Sequence, residues 1–288
     1  MGSICILTDN TAQFTQPSFP GRNIVYILPL EVQLNSGLYD SSSYKVNSLP
    51  VSATDDLHPQ LVAPSSEKIR ALLTTLGQNY DEVIGIFISS CLNQCFMNAE
   101  QAAVGLRGRM SIQMIDSQTT SIGLGLLVQT AAEAVAQGNC FQEIEHLIRS
   151  LLPHIYAVFC TPNLSYLYYA NFLDHAQALV GEMMGMLPIF TLEEGKLTPL
   201  EKVRSRRHAF DFFQEFINEF DHLQHIALLQ NVTPNPQDAR LLREQVQVGL
   251  NKLAFTEHTI NLPLATLLGP AAIGLFLLES TNHKRIRR

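Results

Sequence analysis

The run "ICILTD", Ile4 to Asp9, is apolar until it ends in polar residues, the pattern of a strand buried on both faces. "DEVIGIFISS" from Asp81 and "SIQMIDS" from Ser111 repeat it, and "NIVYILPLEVQL" from Asn23 reads as one further strand region. Between these runs the apolar spacing becomes helical. "SSEKIRALLTTLGQ" predicts a helix capped by Ser65 or Ser66, with Glu67 in a first turn that favours negative charge. Asn93 to Leu106 predicts a second helix, with Asn93 as its cap. "TTSIGLGLLVQTAAEAVAQGN" predicts a long apolar helix stopped by Gly138 and Asn139, and "CFQEIEHLIRSLL" another. Such strand–helix alternation predicts a parallel sheet with helices on both faces. Ligands of these sheets bind at the carboxyl ends of the strands. Here those ends are Thr8-Asp9-Asn10-Thr11, Ser89-Ser90 and Asp116-Ser117, three polar clusters on one edge.

After about Leu152 the pattern changes. "YAVFCT" reads as a strand, and Leu164 to Met186 as helical and apolar. "LPIFTLEEGKLTPLEKVRSR" reads as two strands turned at Glu194-Gly195, followed by a helix "HAFDFFQEFINEF", a strand "HIALLQN" and a helix "PQDARLLREQVQVGLN". Mixed strands with a hairpin predict a second, smaller α/β domain. The expected division places residues 1–155 and 271–288 in the N-terminal domain and 156–270 in the other. Thr259 to Leu278 carries no charge, but Asn261, Pro263, Gly269 and Pro270 interrupt it. It is read as a buried strand, a tight Gly-Pro turn and a buried helix, not a membrane span. The longest expected loop is Leu49 to Pro64, which holds three prolines.

Composition narrows the function. With 46% hydrophobic and 16% charged residues in 288, the chain has ample material for a core or an apolar pocket. A net charge of −7 argues against nucleic acid as a partner, and the basic tail "HKRIRR" reads as a solvated terminus. Five scattered cysteines imply no disulfide framework and fit a reducing compartment. Asp9 interrupts the first apolar run, which argues against a signal peptide, so a cytoplasmic location is expected.

Catalytic motifs are sparse. Cys91 and Cys95 lack a second ligand pair, and Asp221, His222 and His225 lack helical metal spacing. Neither a glycine-rich nucleotide loop nor a serine-nucleophile elbow is present. A nucleophile at Ser89 or Ser90 needs a histidine base, and no histidine falls at a predicted strand end of this domain. An enzyme using Asp9, Ser90 and Asp116 is therefore the weakest reading. Binding is stronger. The helix from Asn93 directs free N–H groups into the strand-end cleft, where anions are attracted. An acyl chain between the apolar layers would gain about 0.8 kcal/mol per buried methylene. The same apolar surface is equally well accounted for as plain core.

Several stretches resemble the DegV family of bacterial fatty-acid-binding proteins. "LTDNTAQF" resembles the family's TDSTADL, "ILPLEV" its vPL-v strand, "APSSEKI" its TSQPS segment and "ISSCLNQCFMNA" its iSS-x-LSGTYqsA. "MIDSQTTSIGLG" resembles its viDS-x-x-x-s-x-G-G, "LSYLYYANFL" its LeyLkkGGRI, and "LLGPAAIGLF" its tHtGPGa-g-f. The resemblance spans nearly the whole chain in family order. It implies a two-domain α/β fold holding a long-chain fatty acid or related lipid, no cofactor, and no catalysis by this chain. It also implies a separate ATP-dependent kinase that receives the bound carboxylate. The family's head-group residues are a Thr, a Ser, an Arg and a His. They fall on Leu61, Asn93, Phe172 and Leu267, with Ser65, Ser89, Ser90 and Gln94 as supporting polar positions. All four head-group positions differ from the family pattern. The expected function is thus a non-catalytic lipid-binding protein with an atypical head-group site. The alternative is a regulatory or scaffold protein whose cleft Leu61, Phe172 and Leu267 plug.

Overall fold

The computed structural model describes residues 2–35, 37–39, 43–234, 236–237, 240, 242–244 and 253–280. The first half supplies β1 (Ile4–Asp9), β2 (Val25–Leu28), β3 (Glu31–Leu34), β4 (Gly37–Tyr39), β5 (Gln60–Val62), α1 (Ser66–Leu76), β6 (Glu82–Phe87), α2 (Cys95–Val104), β7 (Ser111–Asp116), α3 (Ser121–Ala136) and α4 (Phe141–Leu151). The second half supplies β8 (Ile155–Cys160), α5 (Leu164–Tyr169), α6 (His175–Met183), β9 (Leu187–Glu193), β10 (Lys196–Val203), α7 (Arg206–Asn218), β11 (Leu223–Gln230), β12 (Ala254–Thr259), α8 (Leu262–Leu268) and β13 (Ile273–Glu279).

The expected parallel sheet runs β2-β1-β6-β7. Every residue of β1 is buried, as its unbroken apolar run requires. Thr8 lies opposite Ile86, and Phe87 opposite Asp116, so the carboxyl ends of β1, β6 and β7 finish level. The strand region from Asn23 is not single. It breaks at Pro29-Leu30, and β3 leaves to form an antiparallel sheet, β4-β3-β5. Proline lacks the N–H needed to continue a ladder, which marks the break. The outer strand β5 lies within the stretch expected to be loop.

The second sheet has six strands in the order β10-β9-β8-β13-β11-β12, antiparallel except for the β11–β12 pair. The grouping of 271–288 with the N-terminal domain is corrected here for its described part. β13 lies between β8 and β11 of this sheet and pairs antiparallel with both. The order read over Thr259 to Leu278 is also reversed. Asn261 caps α8, accepting from the Leu264 N–H at 3.1 Å, and Pro263 sits in the first turn. These are helix-start signals, so the helix precedes the Gly269-Pro270 turn and the strand follows it. The helical stretch from Leu164 splits into α5 and α6 around Asn171, whose φ is 62°. Most of the helix expected over 236–251, and the tail 283–288, lie outside the described residues.

Helix α3 is apolar all round and twelve of its sixteen residues are buried. It touches β1 and β6 of the first sheet and β8 and β13 of the second, so it is a layer shared by both. One core runs through that layer, joining Ile84 and Leu124 to Phe159, Phe190 and Phe276. A smaller core lies beyond the second sheet, where Phe213 and Ile217 of α7 meet Val158 and Ile189. Among the described residues, no helix is long and apolar enough to cross a membrane.

The β11–β12 pair carries a titrating contact. His225 and His258 both place Nε2 on the Thr256 hydroxyl, at 2.9 and 3.0 Å. Burial, and then the neighbouring His258, push the His225 imidazole down to about 4. The folded state thus resists protonation while the unfolded chain accepts it near pH 6.5. Stability from His225 is complete above that value and is lost as pH falls toward 4. Between about pH 7 and 4.5, wild type should lose about 2 kcal/mol more than His225→Gln in urea unfolding, and equal losses would refute the assignment.

Candidate functional site

The three polar strand ends do meet, but largely by binding one another. Asp9 is fully buried. Its Oδ1 accepts from the Thr11 N–H at 2.9 Å and the Thr11 hydroxyl at 2.5 Å, and its Oδ2 from the Ile88 N–H at 2.7 Å. Desolvation raises its carboxyl above the ordinary value, against the pull of those donors. Asp9 therefore clamps β1 to the end of β6. Asp116 clamps the end of β7 to the turn after β6 as well as to its own following turn. It accepts from the Ser90 hydroxyl at 2.5 Å, the Ser90 N–H at 3.3 Å and the Gln118 N–H at 3.0 Å.

Ser89 is buried and its hydroxyl donates to the Gly195 carbonyl at 2.8 Å. Gly195 is at the tip of the β9–β10 hairpin, with φ of 82°. A Cβ there would stand 2.3 Å from Ser89 Oγ, so a residue in this left-handed conformation must be glycine to sit so close. The hairpin was legible as a turn at Glu194-Gly195. Its seat on the first sheet was not, because nothing local in either segment encodes a contact between them.

Helix α2 starts at Cys95, with Gln94 as a cap residue that makes no side-chain cap bond. Asn93, expected to be the cap, lies one residue earlier and works differently. Its Oδ1 accepts from the Cys95 N–H at 2.9 Å, and its Nδ2 donates to the Leu61 carbonyl at 2.9 Å. Asn98 in the first turn of α2 donates to the Pro64 carbonyl at 2.9 Å. Two asparagines thus hold the segment from Leu61 to Pro64 against α2. Ser65 is occupied as the cap of α1, accepting from the Lys68 N–H at 3.4 Å.

The other two positions approach from the second half of the chain. Leu267 is buried in α8, which packs on α5 and on both β3 and β5. Phe172 follows α5, and its N–H donates to the Leu167 carbonyl at 2.8 Å. Leu61 and Phe172 are half-buried against the same core that contains Leu267. Positions 61, 93, 172 and 267 therefore lie on one run of adjoining elements, α2–β5–α8–α5. Leu173, the residue after Phe172, lines a cavity of about 300 Å³ between α5–α6 and β9–β10, whose other walls include Leu164, Val180, Met186, Phe190 and Lys202. That is the lower end of ligand-pocket sizes, about 300–1,000 Å³.

Over most of its length the chain matches one family. The DegV family model, described as an uncharacterised protein family, covers residues 3–280. The chain belongs to the DegV family. Protein DegV of Bacillus subtilis is 24% identical over 283 residues, 95% of this chain and 98% of that one. Solved structures share the fold at low identity. The fatty acid binding DegV family protein of Streptococcus agalactiae has a TM-score of 0.84 at 21% identity, covering 98% of this chain and 100% of that one. The Fatty Acid Kinase (Fak) B3 protein of Streptococcus pneumoniae, solved with linoleic acid, has a TM-score of 0.82 at 16% identity, covering 96% and 100%.

One residue missed in the sequence reading anchors this DegV seam. Asn163 is buried before α5, donating from Nδ2 to the Val51 carbonyl at 2.7 Å and accepting on Oδ1 from the Ala271 N–H at 3.1 Å. It ties the loop leading to β5 to the turn after α8. A Pro-Asn pair ahead of a helical run was the available signal. Of the two cysteines near the strand ends, Cys91 is exposed in the turn after β6, while Cys95 is buried, and burial followed by the charge of Asp9 raises its thiol well above the ordinary value. Among the described residues, no three His, Cys, Asp or Glu side chains are placed to hold a metal ion.

Proposed function

We propose that this DegV-family protein binds a long-chain lipid and holds its acyl chain between its two α/β units, without catalysing a reaction on it. What supports the reading most is that Leu61, Asn93, Phe172 and Leu267, 206 residues apart at their extremes, belong to adjoining elements, of which α5 also borders a largely apolar cavity. Relatives by fold are described as fatty-acid-binding, and one carries linoleic acid. Catalysis by the chain is disfavoured by its own bonding. Asp9 and Ser89 are buried and engaged, and the Ser90 hydroxyl is committed to Asp116. The B3 component of a fatty acid kinase among the neighbours supports a separate kinase as partner.

Native mass spectrometry tests the reading. Protein purified under mild conditions should carry a mass excess of one acyl lipid, removed on denaturation. Stripped protein should regain it on incubation with single-chain lipids. No bound lipid and no uptake would refute carriage and favour a fold kept for scaffolding.

A further inference from the structure

The cavity between α5–α6 and β9–β10 lies wholly within the second half of the chain, and no residue of the first half lines it. Apart from Gly181, its walls are apolar save for two residues, Gln177 and Lys202. Strand register puts Lys202 there. Ile189 of β9 enters the second core, so its neighbours Pro188 and Phe190 share the opposite face, toward the first core and the cavity. On β10, Pro199 pairs with Phe190, Glu201 with Ile189 and Lys202 with Pro188. Three residues apart, Pro199 and Lys202 would face opposite ways in a regular strand. The bulge between Pro199 and Glu201 brings both to the cavity face and sends Glu201 to the other.

Helix α6 shapes the mouth. Of its nine residues only Ala178 and Gly181 are buried. Their small size seats the helix close, since a Cβ at Gly181 would stand 2.4 Å from Leu164 Cδ1. Its large apolar residues turn outward. Leu179, Val180 and Met183 are 49%, 52% and 79% exposed, and Leu200 in the bulge is 45% exposed. An apolar cavity opening among exposed apolar side chains presents more such surface than the packing of this chain uses. The two polar groups at the cavity offer donors. Gln177 Oε1 already accepts from the Asp174 N–H at 3.2 Å, which leaves its amide NH₂. Among the described residues, the Lys202 ammonium has no hydrogen bond or ion pair. No carboxylate lines the cavity. Those on the same elements are placed elsewhere: Asp174 accepts from the Gln177 N–H at 2.7 Å, Glu182 from the Ser165 N–H at 2.8 Å, and Glu193 stands across from Lys196 near the hairpin tip.

We propose that this cavity is a second ligand site, taking a medium-chain anionic amphiphile whose carboxylate meets Lys202 and the Gln177 amide and whose tail lies against Leu164, Met186 and Phe190. A carboxylate is acceptor only, which matches the two donors. A volume of about 300 Å³, at the lower end of ligand pockets, fits a medium chain better than a long one. Burial of methylenes supplies most of the affinity, and one exposed ammonium sets orientation and a modest preference for the anion. The site is separate from the seam and does not depend on what the seam holds.

Methyl NMR of the full chain with labelled methionines tests the site at about pH 8, where a carboxylate is ionised and a lysine protonated. Decanoate, titrated below its aggregation threshold, should shift the Met186 methyl, assigned with Met186→Leu. Lys202→Leu should weaken decanoate about fivefold and leave 1-decanol unchanged. Val180→Trp, at an exposed position, should close the mouth and weaken both ligands about tenfold or more. No response at Met186, or a response confined to Met97 of α2 beside the Ser89–Gln94 turn, would overturn the second site. An equal effect of Lys202→Leu on decanoate and decanol would overturn Lys202 as the partner of the head group.

Discussion

Asp9→Ala should cost about 3–4 kcal/mol of stability, because it leaves three donors buried without an acceptor. Thr11 could turn its hydroxyl elsewhere. The backbone N–H groups of Thr11 and Ile88 are fixed by the strand ends and have no such freedom. Asp9→Asn is the discriminating companion. Its carbonyl can still serve Thr11, but its amide NH₂ would face the Ile88 N–H, donor against donor. Its cost should be about 1–2 kcal/mol. Equilibrium urea unfolding reads both. Because Ile88 leads directly into the Ser89 turn, Asp9→Ala should also weaken acyl-probe binding in whatever protein remains folded. A loss under about 1 kcal/mol for alanine would show that the carboxylate is not the clamp.

Gly125→Ala should cost about 3 kcal/mol, although alanine is the better helix former by about 1 kcal/mol. A Cβ at Gly125 would stand 2.0 Å from the Gln13 carbonyl oxygen and 2.6 Å from its carbon. Backbone cannot rotate away as a side-chain tip can. Gln13 is also held on three sides, by its N–H to the Ser121 carbonyl at 3.0 Å, by Nε2 to the Thr259 carbonyl at 2.8 Å and by Oε1 from the Ser121 hydroxyl at 2.7 Å. Since α3 is the layer shared by both sheets, a shift of the loop at Gln13 disturbs the seam between them. Gly105→Ala is the control, with only Arg70 Nε at 3.7 Å and an ordinary helical φ of −75°. It should change stability by no more than about 0.5 kcal/mol. Equal losses for the two variants would refute the close-approach explanation.

The elements that were legible share a cause. β1 and β6 are buried on both faces, so each is a short, nearly unbroken apolar run, whereas the edge strand β7 keeps Ser111 exposed and Gln113 half-buried; α3 is apolar all round because it has sheets on two sides. Burial at this scale leaves its trace residue by residue. The strand β13 misled for the same reason. "IGLFLLE" is apolar without alternation, and a buried strand and a buried helix leave the same mark in so short a run. Only the cap at Asn261 decides the order, by starting α8 before the turn. The split of the Asn23 region at Pro29-Leu30 was written in its proline, but a proline does not say which sheet the following strand will join.

The candidate site divides in the same way. That polar groups of Asp9, Ser89, Ser90 and Asp116 collect at one sheet edge follows from strand direction and period, which the sequence carries locally. That Leu61, Phe172 and Leu267 offer no charge to a head group is likewise plain from the residues alone. What only the tertiary structure decided is which atom each polar group already holds. Ser89 answers to Gly195, 106 residues away, and Asn93 to Leu61, 32 residues away. A hydrogen bond needs its partner within about 3 Å, and strand pairing and helix packing, not neighbouring residues, bring those partners there.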